Sequence, residues 1–278
     1  MSEDVKPFSN GMRSPVVAPL TRFLIGFPLV LLTTRTDTYF AWTIEPPLTA
    51  AFLGANYWSS ALLAVLAARE TIWARGRISI SVALAFAPLT TAATLIHIEK
   101  FHLDTVYGWF WVVAYVVYPP MLGTLFARQL RVPGGDPPRA SPLPGWVRAT
   151  LGAHAVIMIP FAVALFVAPD AVGKLWPWTL TPLTGRVVAA WLFALGVLGA
   201  HAIWENDFSR TKVALLAYPF FGVMHVAAIA RFPSDMQWGE AGPYAYLVLV
   251  ASTFAVGIYG WLTLRRTTRQ GERARAGH

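Results

Sequence analysis

The chain has 278 residues, of which 56% are hydrophobic and only 13% are charged. Soluble domains carry about 25% charged residues, so the composition excludes an ordinary water-facing surface. The formal charge of +8 is spread over short Arg-containing segments between long apolar runs, which is typical of membrane orientation signals, and we expect no nucleic-acid partner. The absence of cysteine excludes disulfides, thiolate metal sites and cysteine nucleophiles.

Long apolar runs predict eight membrane-spanning helices, since a bilayer core requires about 20 apolar residues per helix. The runs are apolar on every face, which excludes the alternating pattern of a membrane β-barrel. Arg22 interrupts the first run, and we expect it to snorkel to the inner face or to pair with a carboxylate such as Glu70. The predicted helices cover residues 15–34, 48–69, 78–98, 106–127, 147–168, 184–205, 212–231 and 243–264.

The arginines predict the orientation of these helices in the plasma membrane. Three segments rich in arginine alternate with loops that carry one basic residue each, so the positive-inside rule puts both termini in the cytoplasm. The predicted fold is an all-α membrane protein of two tandem four-helix repeats. Its parts are a cytoplasmic tail (1–14), the first repeat (15–128), a semi-extended Pro/Gly-rich linker (129–146), the second repeat (147–264) and an Arg-rich cytoplasmic tail (265–278).

A short motif that occurs twice indicates the repeats. "WTIEPPLT" begins at Trp42 and "WTLTPLT" begins at Trp178. Because each unit has an even number of helices, both units enter the membrane from the same side and are parallel repeats. Further residues match in order, at an offset of 131 or 132: Arg22 with His154, Pro88 with Pro219, Asp104 with Asp235, Ala114 with Ala245, and Tyr115 with Tyr246.

We interpret the motif as the start of the second helix in each repeat. A tryptophan at the bilayer edge anchors the depth of a helix, and Thr followed by Pro is typical of a helix N-terminus. Aromatic side chains also line the mouths of cavities, so Trp42 and Trp178 could instead form the lip of a ligand site.

The segment "LWPWTLTPLTGRVVAAWLFALGV" (175–197) is similar to a pattern in small bacterial membrane proteins. It resembles the DoxX-like four-helix family, in which an arginine and small residues open a helix. Arg186, Ala189 and Ala190 stand at these positions, whereas the first half has Ala51 in place of Arg186. The resemblance covers each half separately and implies a membrane component linked to redox partners. It implies no catalytic residue.

The loop "HIEKFHLD" groups ionisable side chains on the outer face, beside Glu45 of the first motif. Imidazoles and carboxylates together can bind zinc or another divalent metal, with His97, Glu99 and His102 as the ligands. His97 and His102 are five residues apart and share a helix face only if the helix ends between them. A polar interfacial loop without metal, which includes Asp104, is the alternative.

A second group of ionisable residues is predicted near the inner face. His154 and His201 lie at similar depths in two neighbouring spans, where they could be the axial ligands of a b-type haem. The alternative is a structural network in which a carboxylate forms a salt bridge with Arg75 or Arg210. This network comprises Arg22, Glu70, His154, His201 and Glu205.

The leading functional hypothesis is a lipid-like or small apolar ligand bound where the two repeats meet, which is where parallel repeats create a shared site. Membrane lipids are the expected partners, and a second membrane protein is a further candidate partner. No cofactor is strongly implied. The predicted lining residues are Trp42, Trp178, Arg186, Tyr218 and His225.

Two alternatives come from other functional classes. The chain could be an intramembrane enzyme acting on a lipid or isoprenoid, because burial of a carboxyl group in an apolar site raises its pKa enough for acid catalysis. It could also be a haem- or metal-carrying subunit of a redox complex. The acid–base candidates for the enzyme are Glu45, His97, Asp104 and His225.

Overall fold

A computed structural model describes residues 5–13 and 17–276, with side chains given for 5–13 and 20–266. This part of the chain contains no β-strand, only two single-residue bridges, and its secondary structure is helical. The long helices are α1 (Val17–Leu31), α2 (Pro47–Ala68), α3 (Trp73–Ile96), α4 (Val106–Leu130), α5 (Gly145–Val167), α6 (Pro182–Glu205), α7 (Phe208–Arg231) and α8 (Ala241–Ala276).

Seven of these helices, α2 to α8, are long and apolar enough to cross a membrane. They overlap the predicted segments closely; the main differences are α3, which begins at Trp73 instead of residue 78, and α8, which continues to Ala276. The first predicted span corresponds to α1, which has 15 residues and contains the shorter apolar stretch Leu20–Leu31. The membrane-embedded, all-helical class is therefore supported by seven helices.

The predicted helix start at the repeated motif is confirmed in the second copy. Thr181 caps α6 and forms a capping box with Thr184, with Pro182 in the first turn. In the first copy Pro46 occupies the cap position of α2 and offers no side-chain acceptor. The N-terminus of α2 is capped instead by Asp235, whose Oδ2 accepts a hydrogen bond from the backbone N–H of Leu48 at 3.0 Å. A residue 187 positions away in sequence therefore caps α2.

The four central helices α2, α3, α6 and α7 hold the bundle together. α1 packs on α2, and α5 packs on α6. α4 packs on α3, and α8 packs on α7. Two further pairs, α2 with α7 and α3 with α6, join the first half of the chain to the second, and one continuous hydrophobic core extends through both halves.

The N-terminal segment and the linker lie together at one end of the bundle, which we call the terminal end. The backbone N–H of Lys6 donates to the carbonyl of Gly135 at 2.9 Å, and that of Phe8 donates to the carbonyl of Thr71 at 2.8 Å. Gly134 has a φ of +111°, and the backbone of Lys6 lies against it where a Cβ would stand. A residue with a side chain would be strained there.

The linker is held in place rather than loosely extended. Oδ2 of Asp207 accepts hydrogen bonds from the backbone N–H groups of Ala140 and Ser141 at 2.8 and 2.9 Å. Burial by itself raises the pKa of the Asp207 carboxyl, but hydrogen bonds from Ser209 and from these backbone groups outweigh it and lower the pKa. The ionised carboxylate thus fixes the linker against the turn between α6 and α7.

We expect Asp235→Ala to lower the thermal stability of the purified protein, because α2 then loses its cap. Loss of an N-terminal cap typically costs about 0.5–2 kcal/mol. Asp104 is the matched control: it occupies the equivalent sequence position, its side chain is exposed, and it has no hydrogen-bond partner among the described residues. Equal losses of melting temperature in Asp235→Ala and Asp104→Ala would contradict a capping role.

Candidate functional site

A groove runs along one side of α4, between α4 and α1, and it contains three adjoining cavities. The central cavity has a volume of about 510 Å³. A terminal cavity of about 390 Å³ lies toward the terminal end, and a distal cavity of about 380 Å³ lies toward the opposite end. Each volume falls in the usual range of ligand pockets, roughly 300–1,000 Å³. The central cavity shares Arg22, Tyr118 and Met121 with the terminal cavity, and Ile25, Val106 and Phe110 with the distal one.

The groove extends over most of the length of α4. Its lining residues on this helix run from Val106 in the distal cavity to Leu125 in the terminal cavity. At 1.5 Å per residue this distance is roughly 28 Å, close to the ~30 Å thickness of a bilayer core. The outer wall includes Phe110, Val113 and Val117, which are exposed on the helix surface. The groove is therefore open toward the lipid side of the bundle.

The glycines of α4 do not bring this helix against another long helix, since Gly108 lies against the backbone of His102 in the preceding loop. In the other half, Gly222, Gly257 and Gly260 bring α7 and α8 so near to each other that a Cβ at any of them would clash. Small residues of this kind are what allow membrane helices to pack tightly. The glycine in the middle of α4, Gly123, has no atom within 4 Å of its Cβ position.

Two buried tyrosines form the floor of the central cavity. The hydroxyl groups of Tyr57 on α2 and Tyr115 on α4 are 2.5 Å apart and hydrogen-bonded to each other. Phe86 of α3 lies beside both rings, with centroids 6.1 Å from each. The floor therefore combines an apolar surface with hydroxyl groups, which is the composition expected of a site for an amphiphile.

Arg22 of α1 lies where the central and terminal cavities meet. Its Nη2 donates a hydrogen bond to the hydroxyl of Tyr118 at 2.8 Å, and the guanidinium carbon is 5.8 Å from the centroid of that ring. No Asp or Glu among the described side chains pairs with Arg22. The expected partner, Glu70, instead forms a salt bridge of 2.9 Å with Lys212. Arg22 is thus a cation within the bundle that lacks a described counter-ion.

The equivalent position in the second half has a different chemistry. His154, which aligns with Arg22, is buried, and its Nε2 is 2.9 Å from Oγ of Ser252 on α8. This hydrogen bond joins α5 directly to α8. His201 faces another helix, where its Nδ1 is 2.7 Å from Oγ of Ser81 on α3. The two histidines proposed as haem ligands therefore contact different elements.

The carboxylate of Glu205 is the centre of an ionic cluster at the terminal end. It accepts hydrogen bonds from Nε of Arg77 and, at 2.9 Å, from Nη1 of Arg210, and it lies 3.2 Å from His201. Asp136 of the linker contacts both arginines, at 2.7 and 3.3 Å. The predicted pairing of Glu205 with Arg210 is confirmed, and the partners of this cluster come from both halves and the linker.

The two histidines of the segment "HIEKFHLD" are engaged in hydrogen bonds. Nε2 of His97 is 2.7 Å from Nη1 of Arg186, and Nε2 of His102 is 3.3 Å from Oγ1 of Thr43. Among the residues that the structure describes, no group of three or more His, Asp or Glu is arranged to hold a metal ion. Of the carboxylates proposed for metal binding or acid–base chemistry, Glu45 and Asp104 are exposed in loops, and Glu99 is exposed in the short 3₁₀ helix Ile98–Lys100.

The predicted ligand-lining residues lie in the packed core rather than in the groove. Trp42 contacts Trp111, with ring centroids 4.7 Å apart, and Nε1 of Trp178 donates to Oγ1 of Thr49 at 2.8 Å. His225 is fully buried and is hydrogen-bonded to the carbonyl of Phe221, and Arg186 pairs with His97 as described above. Tyr218 borders a cavity between the two halves whose volume is only about 40 Å³.

The sequence did not identify the tyrosines that line the central cavity as site residues. Tyr57, Tyr115 and Tyr118 all lie near the middle of predicted spans, whereas tyrosine in membrane helices is normally enriched at the interfaces. That central position was the available signal. The position of the tyrosines in the sequence could not show that the three side chains line one cavity, because this arrangement depends on which helices are neighbours.

In comparisons with known proteins, no protein-family model matches the chain, and no curated protein or solved structure matches it.

We expect the His97–Arg186 contact to make the fold sensitive to mild acid. Burial lowers the pKa of His97, and the Arg186 guanidinium lowers it further, so the folded state favours the neutral imidazole. Its contribution to stability is complete above the unfolded pKa of about 6.5 and is lost as the pH falls through the folded value. The melting temperature should therefore fall more steeply on acidification in the wild type than in His97→Gln. Identical pH profiles would exclude this contact as the cause.

Proposed function

We propose that the chain is a plasma-membrane protein built from two parallel four-helix repeats, with all eight long helices in the bilayer. The pairing of the helices supports the repeat: α1–α2 corresponds to α5–α6, and α3–α4 corresponds to α7–α8. Between the halves, the pairs α2–α7 and α6–α3 exchange in the same way, and the pair α3–α7 maps onto itself. This pattern is expected when two repeats are related by an axis along the bundle. A four-helix unit that duplicated, as the DoxX-like resemblance implies, would produce it.

The terminal end is proposed to face the cytoplasm. The linker and the α2–α3 turn at this end contain most of the arginines between the helices, in keeping with the positive-inside rule. Both copies of the repeated motif then lie on the outer side.

Single-cysteine labelling tests this topology, because the chain has no natural cysteine. We expect Thr43→Cys and Thr179→Cys, which are exposed beside the two motif tryptophans, to react with a membrane-impermeant maleimide in intact cells. Ser141→Cys, exposed in the linker, should react only after the membrane is opened. If Thr43→Cys and Thr179→Cys differed in their access to the reagent, the parallel repeat would be ruled out.

We further propose that the protein binds a single-chain, lipid-like molecule in the groove between α1 and α4. The observation that supports this function is the central cavity of about 510 Å³, with its apolar wall, tyrosine hydroxyls and Arg22. Because the groove opens toward the lipid side, such a molecule can enter laterally from the bilayer. Carrying, sensing and presenting such a molecule all begin with this binding step.

The location differs from the one expected between the repeats. The cavity there, bordered by Asn56, Trp191 and Tyr218, holds about 40 Å³, little more than the share of liquid volume of one water molecule, roughly 30 Å³. An acyl or isoprenoid chain does not fit in that volume. The groove along α4 supports the same class of ligand at a different place.

Filling the groove tests this proposal. Ala114 lines the central cavity, and we expect Ala114→Trp to remove most of the lipid that co-purifies with the protein, as measured by mass spectrometry of organic extracts. The matched control is Ala245→Trp at the equivalent, exposed position of α8, which should keep the wild-type lipid content. Unchanged lipid content in Ala114→Trp, with normal size-exclusion behaviour, would refute binding in the groove.

A further inference from the structure

We propose that the terminal cavity binds the anionic head group of a single-chain amphiphile, a carboxylate or a phosphate, while its tail lies in the central cavity. This inference rests on the proposed function and names the class of ligand. The terminal cavity measures about 390 Å³ and adjoins the central cavity at Arg22 and Tyr118. A molecule with its head in one cavity and its tail in the other would therefore lie against the hydrogen-bonded Arg22–Tyr118 pair.

Two arginines and no carboxylate line the terminal cavity. Arg22 enters it from α1, and Arg13 enters it from the short helix Asn10–Arg13. Arg13 donates from its Nε to the carbonyl of Ala68 at 3.2 Å, and its terminal nitrogens have no partner among the described residues. Neither arginine forms an ion pair with a described Asp or Glu. The cavity is therefore positively charged on two sides.

The chemistry of this lining selects an anion. Two guanidinium groups that face one cavity repel each other. The cost of an unpaired cation at membrane depth falls on Arg22, since Arg13 lies at the terminal end beside the last residue of α2. Guanidinium presents a planar set of N–H donors that matches the two oxygens of a carboxylate or phosphate. An anionic head group would satisfy both arginines, whereas a neutral head group would leave the charges uncompensated.

The N-terminal segment closes this cavity at the terminal end. Phe8 is buried and packs edge-on against Trp73 of α3, with ring centroids 5.4 Å apart. Phe8 also fills the space beside Gly76, where a Cβ would clash with its ring. Phe8, Gly11 and Met12 form the wall on that side, so the head group reaches the arginines along the groove from the bilayer.

Binding of three radiolabelled ligands to detergent-solubilised, full-length protein tests the proposal. Oleate and oleoyl-lysophosphatidate carry the same tail with a carboxylate or a phosphate, and oleyl alcohol carries it with a neutral head. We expect the wild type to bind at least one anionic ligand more tightly than the alcohol, and the tighter of the two identifies the head group. Arg22→Gln and Arg13→Gln should each weaken anionic binding by about tenfold, the value of one lost charged hydrogen bond, and leave alcohol binding little changed.

His154→Gln, at the position equivalent to Arg22, is the matched control and should bind all three ligands as the wild type does. If Arg22→Gln fails to fold, the test relies on Arg13→Gln and on Arg22→Lys. The second of these variants keeps the positive charge. Equal binding of the alcohol and the anions by the wild type, or no loss of anionic binding in the arginine variants, would overturn the head-group proposal. If Ala114→Trp still binds every ligand, the groove itself is refuted, so the two failures are distinguishable.

Discussion

Helices in a bilayer approach one another only as closely as the side chains between them allow, and this constraint shapes the whole molecule. Gly54 brings α1 against α2, and Gly199 brings α6 against α5. Gly257 does the same for α8 against α7. At the matching offset of 131, α4 has Phe126 instead of Gly257, and Phe126 packs against Trp73 of α3. At this contact, the two halves differ in the size of the side chain at one matching position of α4 and α8.

The same asymmetry appears in the polar residues. Where the second half closes α5 onto α8 with the His154–Ser252 hydrogen bond, the first half has Arg22 beside Tyr118. The three groove cavities are thus lined by the first half and the N-terminal segment.

Apolar runs predicted seven of the long helices, all but α8 to within about five residues at each end, since about 20 apolar residues have few alternatives to a membrane-spanning helix. The helix start at Thr181 was also visible in the sequence, as Thr followed by Pro, because a cap is a local interaction. Other contacts were not. The partner of Arg22 and the burial of Trp42 among aromatic rings depend on which helices are neighbours. The sequence pattern predicts Trp42 at the bilayer edge, and tertiary packing in addition buries its ring among aromatic side chains. The ordered linker was missed for the same reason, because Asp207 lies 67 residues beyond Ala140.

The buried carboxylate of Glu205 has a consequence for biosynthesis. Its guanidinium partner in the first half, Arg77, is made 128 residues earlier. Until α6 emerges, the earliest described carboxylate available to Arg77 is the partly exposed Asp136 of the linker. The full set of carboxylates that Arg77 contacts in the folded bundle is therefore complete only after α6 has been made. A chain that stops before Glu205 would lack the central carboxylate of the ionic cluster, and with it the ionic contact that joins α3 to α6.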